Sequence, residues 1–270
     1  MALALRFAEE GEFSSRACNL SSLDTPDVAP STALFRWSKP VRNLLGPAPV
    51  VSVETLIVAM PGAAQSFVQE LASSWETVGT LVATDQAIAH SAAPSAGILL
   101  SKKGVKVSEA GNALALLVGQ EVPVQGTWSW LNKLLQHVDA QDVVCLDSQL
   151  STIYADQFAA TEPGPQLRML ASSAVSDAMK LSPPVRPLET PQFVAGIPAA
   201  LLTHGELRKR RVLVFVSLRD VSALPGDVMR SFLPLAESSS SVLGALERPL
   251  FYQPSSSKAD ASANRNVLYT

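Results

Sequence analysis

The chain is 270 residues long, 47% hydrophobic and 17% charged, with a formal net charge of −3. A composition so apolar and so sparsely charged excludes disorder throughout, because disordered chains lack apolar residues and carry more charge. The slight acidic excess argues against a dedicated nucleic-acid binder, which shows a strong basic excess.

The first fifty residues are weakly patterned. The opening Met-Ala-Leu-Ala-Leu-Arg-Phe-Ala-Glu-Glu is not laid out as a secretory signal, since Arg6 and two acids break its apolar stretch. Ser14 to Thr32 follows neither a helical nor a strand period and reads as a loop or mobile arm. Asn19-Leu20-Ser21 matches a glycosylation sequon, expected to go unused without a secretory signal. Phe35, Trp37 and Val41 are apolar anchors beside Arg36, Lys39 and Arg42. They read as a short edge strand packed on the body, with a partner contact as the alternative.

The first clear element is Val50 to Met60, whose half from Leu56 to Met60 is continuously apolar, as in a strand buried on both faces. Pro61-Gly62 stops it. Ala64, Phe67, Val68, Leu71 and Trp75 then recur at helical spacing, with Gly79 ending that unit. Thr80 to Thr84, Gly97 to Ser101 and Ala113 to Gly119 are strand candidates. Gln125 to Val138 reads as a helix, with Trp128, Leu131, Leu135 and Val138 on one face and Trp130 and Leu134 beside it. Asp142 to Leu146 is another buried strand. This alternation, with mostly short links, predicts a sheet covered by helices on both sides.

From Ala155 to Pro191 repeated prolines forbid a long helix, and only Leu167 to Ala171 suggests a strand. Gly196 to Leu202 predicts a helix with proline in its first turn. It runs through Arg208-Lys209-Arg210-Arg211 into the strand Val212 to Val216. A last helix is expected from Pro225 to Pro234, with Val228, Phe232 and Leu235 as its stripe. Ser238 to Ser241 reads as a flexible link. Gln253 to Asn266 contains no large apolar residue and reads as a tether. No run reaches the roughly eighteen apolar residues of a membrane-spanning helix.

Catalytic and metal-binding chemistry is thinly represented. His90, His137 and His204 fall in three separate elements without metal-ligand spacing to another His, Cys or acid. Cys18 and Cys145 are too few for a disulfide framework and fit a reducing compartment, although one bridge stays open. Cys145 lies within an apolar run and reads as inert core. Pro61-Gly62-Ala63 sits where α/β folds place ligand loops, yet a tight strand-to-helix turn accounts for it. Asp147 lies at the C-terminal end of a strand, without a visible His or Lys partner. The basic run Arg208 to Arg211 complements a helix C-terminus, with an import signal or an anion patch as alternatives.

The ending Leu268-Tyr269-Thr270 is a hydrophobic residue, a tyrosine and a final residue. It fits the hydrophobic–tyrosine–any-residue (HbYX) motif, in which a terminal carboxylate pairs with a pocket lysine while the tyrosine ring packs. Three further segments accompany it: Leu56 to Ala64 with Phe67, Trp75-Glu76-Thr77-Val78-Gly79, and Gly196-Ile197-Pro198-Ala199-Ala200-Leu201-Leu202 followed by the strand at Val212. On these residues the chain resembles the Pba-type proteasome assembly chaperones, in particular the first subunit of their heterodimer, from about Val50 to the end. Residues 1–49 show no such resemblance, and Ala155 to Pro191 aligns loosely.

The resemblance implies an α/β fold, a three-layer α/β/α sandwich of nucleoside-phosphorylase-like architecture without catalytic residues. It implies three parts: a weakly ordered N-terminal arm (1–49), a single α/β chaperone domain (50–252) and a flexible C-terminal tail (253–270). The implied function is non-catalytic chaperoning of 20S proteasome assembly in the cytoplasm or nucleus, without metal or cofactor. The body would pair with a second chaperone subunit and bind the α-ring, and Leu268, Tyr269 and Thr270 would insert between α subunits. Two alternatives are a phosphorylase-like enzyme, marked by a pocket joining Asp147, His90 or His204 to an anion site near Gly62, and a generic scaffold.

Overall fold

Alternating apolar strands and amphipathic helices leave a sheet with two faces to cover, and the structure, a computed structural model, covers both. It describes residues 33–46, 49–83, 97–103, 112–122, 126–151, 164–175, 185–190, 192–237, 243–246 and 254. In chain order the elements are β1 (Ala33–Trp37), α1 (Lys39–Leu45), β2 (Val51–Ala59), α2 (Ala63–Leu71), β3 (Glu76–Ala83), β4 (Gly97–Ser101), β5 (Ala113–Leu117), α3 (Thr127–Leu135), β6 (Val138–Leu150), β7 (Gln166–Ala171), β8 (Arg186–Pro187), α4 (Gly196–Arg208), β9 (Arg211–Arg219), α5 (Pro225–Ser231) and α6 (Leu233–Glu237).

These strands form one mixed sheet in the order β1-β3-β4-β5-β2-β6-β9-β7-β8. Its centre, β5-β2-β6-β9, is parallel, while β1, β3 and β4 extend it antiparallel on one side and β7 pairs antiparallel with β9 on the other. The period of two sorts the central side chains. Leu56, Val58, Val143, Cys145, Val212 and Val214 pack under α3 and α4, against Trp130, Leu131, Leu134, Ile197 and Leu201. Ile57, Ala59, Val144, Leu146, Leu213 and Phe215 pack under α2, α5 and α6, against Phe67, Val68, Val228, Phe232 and Leu235. Burial on both faces is why these strands read as unbroken apolar runs. The class is α/β, in the expected three layers. Phe67 of α2 meets Phe232, which follows α5, with ring centroids 5.6 Å apart, joining two helices of one layer.

Several boundaries differ from the sequence reading. Gly79 does not end the helical unit; it lies inside β3, which begins at Glu76. Phe35 and Trp37 of β1 press over it, and a Cβ there would lie 3.3 Å from Phe35 Cζ and 3.4 Å from the Trp37 ring. Trp75 falls after α2 ends, in the turn to β3, yet remains buried with that helix's stripe. In α3 the buried face is Thr127, Trp130, Leu131 and Leu134, whereas Trp128 is 44% exposed. The helix is apolar over a wide arc, so two stripes compete and the sheet selects one. Val138 opens β6, a strand of 13 residues, because Val138, Asp139, Ala140 and Gln141 alternate buried and exposed. Pro234 does not end α5 but lies in the first turn of α6, where its missing N–H has no helical partner to lose. Val228, Phe232 and Leu235 are buried as expected.

The edge strand expected around Phe35 and Trp37 is β1, which pairs with β3 from Ala33↔Ala83 to Trp37↔Gly79. The readings made for Ser14 to Thr32, for Ser238 to Ser241 and for the tether through Asn266, apart from Pro254, fall outside the described residues. No helix among the described residues is long and apolar enough to cross a membrane.

Candidate functional site

Parallel sheets place ligands where strands end and helices begin. Here Ala59, Leu117, Leu146 and Phe215 lie level across the four central strands, so the residues just beyond them form one rim. At this rim Pro61-Gly62 turns β2 into α2. Gly62 has φ +98°, and a Cβ there would meet no atom within 4 Å. Glycine is needed for the backbone turn and not for a close approach.

Asp147, one residue past Leu146, belongs to the face covered by α3 and α4, two residues beyond Cys145. Its carboxylate accepts the Ser148 N–H at 2.8 Å and the Gln149 side-chain amide at 3.0 Å. Burial pushes its pKa up, these two hydrogen bonds act against the rise, and the Glu121 charge adds to it. Arg168 lies two strands away across Val216. Its guanidinium donates instead to Leu167 O at 3.0 Å and to Gln166 Oε1 at 2.5 Å. Gly62 opens α2 on the opposite face, so the two rim residues serve different layers.

The histidines are elsewhere. His204 stands in the second half of α4, near the start of β9, and His137 immediately precedes β6. Both therefore lie toward the strands' N-terminal end, opposite Asp147. Burial first, then the Arg208 and Arg210 charges, hold the His204 pKa down. His90 and Cys18 lie outside the described residues. Asp147 and His204 are thus not brought together, and among the described residues no three His, Cys, Asp or Glu side chains converge on a possible metal position. Cys145 is fully buried, and that burial, followed by the Asp147 charge, pushes its thiol well up. It is unreactive core.

The basic run is divided between fold and surface. Arg210 pairs with Asp139 at 2.8 Å, and Arg211 pairs with Asp142. Lys209 is the left-handed cap of α4, with φ 54°. Leu268, Tyr269 and Thr270 lie outside the described residues. A grouping that motif reading does not find lies at the corner between β1 and α1. There Arg36, Trp37, Lys39, Arg42, Thr77 and Thr80 line a hollow of about 290 Å³. The close spacing of its three cations is visible in sequence, but the β3 hydroxyls that complete it arrive from about forty residues away.

No protein-family model and no curated protein matches the chain. Solved structures do. The archaeal proteasome activator PbaB of Pyrococcus furiosus matches with a TM-score of 0.58 at 10% identity, over 88% of this chain and 97% of its own. PbaA of the same organism, an archaeal homolog of proteasome-assembly chaperone, matches with a TM-score of 0.57 at 12% identity, over 86% of this chain and 94% of its own. At such identities the likeness is one of fold, and fold alone does not carry activity.

Proposed function

We propose that the protein is a non-catalytic chaperone of 20S proteasome assembly. The observation that carries this reading is the match of one continuous fold to nearly the whole of two archaeal chains, one a proteasome activator and the other a homolog of proteasome-assembly chaperone. It is supported from an independent direction by the ending Leu268-Tyr269-Thr270. In this reading the folded body pairs with a second chaperone subunit and sits on the α-ring in the cytoplasm or nucleus. The tail inserts between α subunits, the Thr270 carboxylate pairing with a lysine while the Tyr269 ring packs beneath it. The stretch from Gln253 to Thr270 can span at most about 60 Å, at ~3.3 Å per residue. A body docked at one place on the ring can therefore reach a pocket some distance away.

The test is affinity capture from native lysate with the intact chain and with one lacking Leu268, Tyr269 and Thr270. Recovery of 20S α subunits and a second chaperone by the intact chain, with α subunits reduced for the truncated one, is the expected result. Equal recovery of the second chaperone by both would assign pairing to the body. Capture of no proteasome component by either overturns the reading.

A further inference from the structure

The hollow between β1 and α1 concentrates positive charge on a chain whose net charge is −3. Arg36, Lys39 and Arg42 reach it from seven consecutive residues, with Thr77 and Thr80 on its β3 side. Among the described residues, none of the three cations is held by an ion pair or a side-chain hydrogen bond. Arg210, Arg211 and Arg230, by contrast, each pair with an aspartate. Among the described residues the Nε of Arg42 is also buried without an acceptor. Three cations without partners at one open hollow favour an oxyanion, which compensates their charge and accepts charge-assisted hydrogen bonds. A water molecule could accept one of these bonds but would leave three charges uncompensated.

The surroundings indicate the form in which the oxyanion arrives. Among the described residues, β1 is the last strand of the sheet on its side and pairs only with β3. Its exposed residues, Leu34 and Arg36, alternate as a strand requires. An extended peptide can add alongside such an edge and lay alternate side chains toward the cations. We infer that the crevice of Arg36, Lys39 and Arg42 is a docking site for an extended acidic segment of a partner protein, whose carboxylates the guanidinium groups bind. This inference does not rest on the chaperone reading, and its test uses no proteasome component.

The test is fluorescence anisotropy with the full chain and a labelled, capped peptide alternating Glu and Ser, beside its Gln-for-Glu counterpart and inorganic phosphate as competitor. The Glu peptide is expected to bind and the Gln peptide not. Affinity should drop roughly tenfold or more in an Arg36→Gln/Arg42→Gln variant of unchanged melting temperature. Lys39→Gln, at an exposed position, gives a second reading should the double variant melt early. Equal binding of both peptides, or equal affinity for the intact chain and the variants, overturns the inference. Phosphate binding at the crevice without peptide binding overturns it too, and makes the occupant a free phosphate.

Discussion

At the scale of single residues, contact distances decide what the backbone tolerates. Gly205 sits in α4 where the helix crosses β9, and a Cβ there would lie 2.5 Å from Val212 Cγ2 and 3.2 Å from the Arg210 carbonyl. Two effects oppose each other in Gly205→Ala. Helix propensity favours alanine by about 1 kcal/mol. Overpacking against a stiff β-branched side chain and a backbone oxygen costs roughly 1–3 kcal/mol, and it wins because neither neighbour can swing aside. Gly205→Ala should therefore lower stability in urea titration. Val212→Ala in the same chain should recover part of the loss, with a coupling of about 0.5 kcal/mol or more. A Gly205→Ala protein as stable as the parent would show that α4 can move off the sheet at no cost.

At the scale of elements, β1 is held by aromatic contacts as well as by the burial of Ala33 and Trp37. Phe35 stacks on His137 at 4.5 Å with an interplanar angle of 17° and meets Trp37 edge-on at 4.9 Å. The Trp37 indole N–H donates to the Pro49 carbonyl at 3.3 Å. Burial first, then the Lys133 charge, lower the His137 pKa, while the Pro49 carbonyl pulls it the other way. A lowered folded-state value means that the unfolded chain binds the proton more readily. The contribution of His137 is therefore present above its ordinary value of about 6.5 and is lost as pH falls through the window below it. In urea titrations across that window the midpoint of the intact chain should fall on acidification more than that of His137→Gln. Parallel curves would exclude His137 as the source. His204, lowered in the same direction, acts equally in both proteins and cancels in the comparison. The same elements mark where sequence was legible. Leu56 to Met60 and Val212 to Val216 were plain because both faces are buried, so every position is apolar. Gly79 misled because its φ/ψ needs nothing special; the rings that cover it belong to β1, some forty residues earlier. The crevice escaped motif reading for the same reason, since Thr77 and Thr80 join Arg36 and Arg42 only through the β1–β3 pairing.

At the scale of the whole molecule, the proposed mechanism divides binding between the body and the last three residues. Leu268-Tyr269-Thr270 is a small contact on a chain that must be ordered to bind, so alone it should hold an α-ring pocket weakly. Docking of the body converts tail insertion into an intramolecular step, and the linked pair gains over either contact by roughly 10²-fold or more without any new interface. Two consequences separate this from a tail that merely adds a patch of contact. Tyr269→Ala should weaken α-ring binding steeply in the intact chain while leaving the melting temperature where it was. A peptide spanning Gln253 to Thr270 should compete poorly against the whole protein, and an amidated version, lacking the Thr270 carboxylate, more poorly still. Surface plasmon resonance on immobilised α-rings reads the binding of the variant and the competition by both peptides, and thermal denaturation reads the melting temperature. If Tyr269→Ala binds as the parent does, the body carries the interaction alone and the tail leaves the mechanism.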